Sequence, residues 1–226
     1  MGATDLAYEA IKSKILRQEL KPGAWLKEVQ ISKELGLTRT PVREAIIRME
    51  REGIVRNFYG RGAFVAKFSK KEIEDLFEVR EALEIKAAYC ATRRANKDEM
   101  DELGKAMEEK ERLFRKGVIV DFGHPQFDFH LGIIKLSKNE RLISIWQTLQ
   151  NQLLLMRTTS KMIAKRYLIT SKEHEEILVS LRNGDFGQVE TLLKSHLSKA
   201  KQNLLSTISK ESNLQKASKI SVKRSM

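Results

Sequence analysis

The sequence predicts a mainly α-helical protein with two domains: three short helices and a small β-hairpin, followed by an all-α bundle of about six helices. Three observations predict this. Of 12 glycines and three prolines, six glycines and two prolines fall within the first 62 residues and divide that region into short elements. Two strand-like segments flank a glycine-containing turn at 59–62. From residue 69 to about 208, the sequence is typical of long helices and carries no strand signal.

Residues 1–68 are predicted to form the first domain. Apolar residues recur at helical spacing in three segments, and glycine or proline ends each of them. Thr40 is a suitable N-cap for the third helix, with Pro41 at the first helical position. The predicted elements are helices over 5–20, 26–35 and 41–53 and strands over 54–58 and 63–66.

Residues 69–208 are predicted to form the second domain. Ser69 and Glu72 have the spacing of a capping box, which predicts that a helix begins there. The predicted helices cover 70–96, 98–116, 126–137, 139–160, 171–183 and 185–208. Residues 209–226 hold five basic residues and one acidic residue among few apolar ones, so we expect a basic, disordered tail.

Composition excludes several classes of protein. The 226 residues are 41% apolar, too many for a disordered chain. The formal charge of +12 indicates a polyanionic partner, either nucleic acid or an acidic membrane face. A single cysteine, Cys90, excludes an internal disulfide framework and favours a reducing, cytoplasmic environment. The sequence has neither a transmembrane-length apolar run nor a secretory leader, so we expect no membrane partner.

The order of elements in the first domain predicts a winged helix-turn-helix. Such a fold buries one side of its third helix and offers the other to the DNA major groove. Val42, Ala45, Ile46 and Met49 supply a stripe to be buried. Hydroxyls and guanidinium groups cluster at the start of this helix, where they suit phosphates and guanine edges, and the hairpin tip is basic. The candidate DNA-binding residues are Thr38, Arg39, Thr40, Arg43, Tyr59, Gly60 and Arg61.

The chain has four histidines, and two of them have a spacing that suits a metal site. His174 lies ten residues before Gly184 and His196 twelve residues after it. At about 1.5 Å per residue, both lie roughly 15–18 Å from this turn, at similar height on antiparallel helices. They face each other if their helical phases agree, and imidazole there suits Zn²⁺ or Ni²⁺. A polar pocket that holds no metal is the alternative, and His124 is expected at the surface.

The first domain resembles the GntR family of bacterial transcription regulators. The resemblance is carried by Leu37-Thr-Arg-Thr-Pro-Val-Arg-Glu-Ala45, Glu52-Gly-Ile-Val55 and Gly60-Arg-Gly-Ala-Phe-Val65, in that order and spacing. In that family, the residues matching Thr38, Arg39, Thr40, Arg43, Tyr59 and Gly60 contact operator DNA. The resemblance therefore implies the same role for them here.

The second domain resembles the FCD effector domain of the FadR-like subfamily. Glu78–Glu84 matches its opening helix, and Phe129-His130 with Asn139 matches a central motif. The resemblance implies a divalent metal held by an Asp and three His, beside a small carboxylate effector. The matching histidines are His130, His174 and His196, and the Asp position is Gln126.

Two details of this site follow from the residues themselves. Asp128 is two residues from His130, about 200° around a helix, so it cannot replace the Asp without a register change. Three imidazoles can still bind zinc with an open fourth position. Arg80 is the candidate effector-binding residue because a buried guanidinium can clamp a carboxylate, and an ion pair with Glu84 is the alternative.

These observations predict a cytoplasmic transcription regulator, not an enzyme. We expect a homodimer that binds a pseudo-palindromic operator in double-stranded DNA, acts as a repressor and senses a small organic acid. One alternative is a basic architectural DNA-binding protein without a sensor. Another is a metal-dependent hydrolase, although the sequence shows no HExxH helix, nucleophile elbow or phosphate loop.

Overall fold

The computed structural model describes residues 2–116, 128–158 and 163–224. These residues form nine α-helices and one antiparallel two-stranded sheet, which confirms the predicted fold class. The elements are α1 (Ala3–Leu16), α2 (Glu28–Leu35), α3 (Arg39–Arg51), β1 (Val55–Phe58), β2 (Gly62–Val65), α4 (Lys70–Arg94), α5 (Lys97–Arg115), α6 (Phe129–Leu136), α7 (Glu140–Thr158), α8 (Ile163–Arg182) and α9 (Phe186–Arg224).

The described residues belong to two compact units. The first comprises those within Met1–Phe68 and Gln147–Lys161, and the second those within Ser69–Trp146 and Met162–Met226. The second half of α7 thus belongs to the first unit, whereas the sequence analysis assigns it to the second domain. Leu155 of α7 lies in the core of the first unit, 2% exposed. The buried run Leu153–Met156 has no helical periodicity, so its sequence did not indicate this core.

The apolar side of α3 forms the centre of the first unit. Val42, Ala45, Ile46 and Met49 are all buried, as predicted from their spacing. The predicted N-cap is wrong, however, because Thr38 rather than Thr40 is the N-cap of α3. Pro41 therefore occupies the third helical position. Proline is tolerated there because the first N–H groups of a helix have no partner within the helix.

The hairpin pairs Val55 with Val65 and Phe58 with Gly62. Gly60, in the turn between the strands, has φ +70°, which glycine adopts without steric cost. Trp25 forms an isolated antiparallel bridge with Phe64.

The second unit is a helical bundle. Its longest described helices, α4 and α9, pack against each other, and α4 also packs on α6. The capping box at the start of α4 is confirmed: Ser69 Oγ accepts from Glu72 N–H, and the Glu72 carboxylate accepts from Ser69 N–H at 2.7 Å. None of the helices in the described ranges is both long and apolar enough to cross a membrane.

Two helix bounds in this unit differ from the prediction. α8 begins at Ile163 rather than near residue 171. α9 continues to Arg224, beyond residue 208 and through the segment expected to be a disordered tail. The sequence has neither glycine nor proline after Gly187, so no residue of either type interrupts this helix.

Candidate nucleic-acid interface and metal centre

The first turn of α3 presents an exposed polar and basic surface. Thr38, Arg39, Thr40 and Arg43 are all exposed, and the turn contains no acidic residue. Free N–H groups and the helix dipole make such a helix start favourable for anions. The two guanidinium groups add positive charge at the same place. This surface can bind phosphate or the acceptor edge of a base.

Glu28 of α2 organises the two arginines, a role that the sequence analysis missed. One of its carboxylate oxygens lies 3.3 Å from Arg39 Nη2 and the other 3.5 Å from Arg43 Nε. Both guanidinium side chains remain about two-thirds exposed, at 64% and 67%. The arginines are therefore oriented by Glu28 and still open to a ligand.

The tip of the hairpin is the second exposed group of predicted residues. Tyr59 is fully exposed, and Gly60 and Arg61 are also exposed. The outer side of the hairpin carries a cluster of aromatic rings that the sequence analysis did not single out. Trp25 and Phe58 flank Phe64, with ring centroids 6.4 and 5.7 Å from it.

Three histidines from three helices converge in the second unit. His130 lies on α6, His174 on α8 and His196 on α9. The Nε2 atom of His196 is 3.4 Å from Nε2 of His174 and 3.4 Å from Nε2 of His130. His130 and His196 are buried and His174 is half-buried. The structure thus brings together the three residues that the sequence analysis named as ligands.

These distances fit a transition metal. With Zn–N bonds of about 2.0–2.1 Å, tetrahedral coordination separates two ligand nitrogens by roughly 3.3–3.4 Å. The three candidate ligand atoms all lie within 4.8 Å of one another. Neutral imidazoles suit Zn²⁺ and Ni²⁺ and leave at least one coordination position for another ligand.

The other ring nitrogen of two of these histidines meets a glutamate. His130 Nδ1 lies 2.7 Å from Glu84 Oε2, and His196 Nδ1 lies 2.8 Å from Glu173 Oε2. The Glu84 side chain is fully buried and the Glu173 side chain 13% exposed. The hydrogen bond to His196, together with Lys199, lowers the pKa of Glu173 to about 2 despite its partial burial.

Arg80 is buried beside this cluster. Its Nε donates to Glu84 Oε1 at 2.6 Å, so the ion pair considered as an alternative is present. Its role in effector binding stays a prediction. Asp128 is the N-cap of α6 and accepts hydrogen bonds from the backbone N–H groups of His130 and Leu131. Gln126 and His124 lie outside the described residues.

Comparison with protein families decides the assignment. Residues 3–65 match the model for bacterial regulatory proteins of the gntR family, and residues 75–199 match the model for the FCD domain. The chain belongs to the GntR family and carries an FCD domain. The resemblance inferred from the motifs is thereby confirmed.

Individual relatives of this GntR-family protein support the same assignment. The transcriptional regulator LutR of Bacillus subtilis is 28% identical over 200 residues, which cover 79% of this chain and 90% of LutR. A putative GntR regulator from Rhodococcus sp. RHA1 has a similar structure. Its TM-score is 0.74 at 20% identity, over 90% of this chain and 97% of that one.

The helical domain has a solved counterpart of its own. The metal-free FCD domain of the putative regulator TM0439 has a TM-score of 0.53 at 20% identity. The similarity covers 64% of this chain and 99% of that domain. At 20% identity, this similarity shows a shared fold and nothing further.

Proposed function

We propose that this GntR-family protein is a cytoplasmic, metal-containing transcription repressor whose DNA affinity responds to a small organic acid. It binds a pseudo-palindromic operator as a homodimer and is not an enzyme. One observation carries the proposal: an exposed basic helix start and a converged trio of histidines occur in the two units of one chain.

The first turn of α3 supplies the DNA contacts. Arg43 and Arg39 can each bind guanine O6 and N7 through two hydrogen bonds, and the threonine hydroxyls suit phosphates. Glu28 restrains the arginines before DNA arrives, which lowers the entropy lost on binding. The hairpin tip, with Tyr59 and Arg61 exposed, contacts the neighbouring minor groove or backbone.

The histidine trio supplies the sensor. His130, His174 and His196 would hold Zn²⁺ or Ni²⁺ through Nε2. A bound divalent ion would supply positive charge for a carboxylate at its open position. Arg80 is the residue proposed to contact the same effector through its guanidinium group.

Effector and DNA are coupled if the effector binds one arrangement of the homodimer better than the other. The metal-dependent sensor can be tested by a thermal-shift screen of small organic acids, with and without Zn²⁺ or Ni²⁺. We expect at least one acid to raise the melting temperature only when metal is present and to release bound DNA. Binding of DNA that no acid and no metal alters would support the sensor-less architectural alternative.

A further inference from the structure

We infer that Glu84 and Glu173 are positioning residues of the metal centre: each fixes the proton of one histidine on Nδ1 and so leaves the lone pair of that histidine on Nε2. The inference rests on the proposed metal-binding function and deepens it. Neither glutamate is proposed to bind the metal itself. Each acts through the histidine to which it is hydrogen-bonded.

Each hydrogen bond to a glutamate determines which ring nitrogen of the histidine carries the proton. A neutral imidazole carries one N–H, and an ionised carboxylate can only accept a hydrogen bond. The carboxylates at 2.7 and 2.8 Å therefore place the N–H of His130 and His196 on Nδ1. The lone pair is then on Nε2, the atom that points toward the other two imidazoles. A metal ligand requires this tautomer.

Each of the two carboxylates is itself held by a cationic side chain. Glu84 accepts from Arg80 Nε at 2.6 Å through its other oxygen, one helical turn away on α4. Glu173 accepts from Lys199 Nζ at 2.8 Å through its other oxygen. In both cases a cation contacts the carboxylate, and the carboxylate contacts the imidazole. The adjacent cation thus holds the carboxylate oxygen that the imidazole does not contact.

The third histidine is oriented differently. The ring of His174 stacks on the ring of Phe129, with centroids 4.1 Å apart and an interplanar angle of 16°. Phe129 is 1% exposed, so its own position is set by the bundle core. Two imidazoles are held by carboxylates and the third by a buried aromatic ring.

The charges of the histidines and of their partners set the net charge of the metal centre. Neutral imidazoles bring no negative charge to a dication. Glu84 and Glu173 supply two negative charges, which Arg80 and Lys199 balance. A bound divalent ion would leave a net charge of +2 on this group. The open position should therefore take an anion, which agrees with a carboxylate effector.

The test uses two pairs of variants of the full chain. Glu84→Gln and Glu173→Gln keep the size of the side chain and remove its charge. Glu78→Gln on α4 and Glu175→Gln on α8 are the controls, because both glutamates are exposed on the same helices. Competition with a chelator should show Zn²⁺ affinity lowered about 10- to 100-fold in the first two variants and unchanged in the controls.

A second readout needs no metal. Long-range ¹H–¹⁵N NMR of the metal-free protein at alkaline pH should show N–H on Nδ1 of His130 and His196. Glu84→Gln should disturb this pattern at His130 alone, and Glu173→Gln at His196 alone. If Glu84→Gln fails to fold, Glu173→Gln at the more exposed position gives the same comparison.

The outcomes separate the two proposals. A wild-type protein that binds neither Zn²⁺ nor Ni²⁺ would overturn the metal-binding function and this inference with it. A wild-type protein that binds metal, with Glu84→Gln and Glu173→Gln binding it equally well, would overturn this inference alone. Detection of N–H on Nε2 of His130 and His196 in the metal-free protein would also overturn this inference alone.

Discussion

Asn151 and Glu52 lie 99 residues apart in the chain, and the Asn151 amide donates a hydrogen bond of 2.7 Å to the Glu52 carboxylate. Glu52 is the C-cap of α3, and the same carboxylate oxygen accepts from the Tyr8 hydroxyl at 2.5 Å. Burial and this hydrogen bond raise the pKa of Tyr8. Within the first unit, one carboxylate thus joins α1, the end of α3 and the second half of α7.

Replacing Asn151 with alanine should lower the free energy of unfolding by about 1 kcal/mol, because a partly buried hydrogen bond to a charged group is lost. Urea denaturation measures the change. Gln147→Ala is the matched control, since Gln147 is exposed on the same helix. Equal stability of the two variants would show that the Asn151 contact contributes nothing.

Two glycine substitutions should change stability in opposite directions. Gly53 has φ +72°, and an added Cβ would lie 2.5 Å from Gln152 Nε2, so Gly53→Ala should destabilise the protein by about 1–2 kcal/mol. Gly187 lies in the first turn of α9 and, among the residues that the structure describes, an added Cβ would meet only Asp185 Oδ1 at 3.6 Å, so Gly187→Ala should stabilise by about 0.5 kcal/mol. Thermal unfolding of both variants tests this. The same sign for both would contradict it.

Several parts of the fold were predictable because their signals are local. A few neighbouring residues determine each of these parts: the capping box at Ser69, the apolar stripe of α3 and the glycine turn of the hairpin. The sequence does not distinguish Thr38 from Thr40 as the N-cap of α3. Both are threonines, and proline is acceptable at the first or the third helical position, which Pro41 would occupy in the two cases. The placement of Leu155 in the first unit depends on tertiary packing, which an unbroken apolar run does not reveal.

The candidate site could likewise be predicted only in part from the sequence. The heights of His174 and His196 followed from chain length on either side of Gly184. The glutamates that meet His130 and His196 did not follow from the sequence, because Glu84 and Glu173 lie 46 and 23 residues from these two histidines. Only the rotational phase of the packed helices brings them together. Glu28 was missed for the same reason: it lies on a different helix from Arg39 and Arg43.

Replacing Arg43 with alanine should weaken binding to the operator by about 1–3 kcal/mol and binding to random DNA much less, because a contact with a base is lost. Arg51→Ala is the control, since Arg51 is exposed at the other end of α3. Fluorescence anisotropy at constant salt measures both affinities. Equal losses on operator and random DNA would assign Arg43 to a phosphate.

Replacing His174 with alanine should abolish the stabilisation by Zn²⁺ and leave DNA affinity intact, because His174 belongs to the second unit and to the metal centre. For wild type, metal at 100 times its Kd should stabilise the fold by about 2.7 kcal/mol. Lys172→Ala, at an exposed position of α8, should respond like wild type. A normal metal response in His174→Ala would exclude His174 as a ligand.

The ratio of affinities for a selected DNA site and for random duplex, at one salt concentration, tests the regulator hypothesis most directly. Sites would be selected from fragmented genomic DNA with the wild-type protein. We expect enriched sites with two inverted half-sites, bound at least about 10³-fold more tightly than random DNA. A ratio near one, with no dyad symmetry among the recovered fragments, would contradict it.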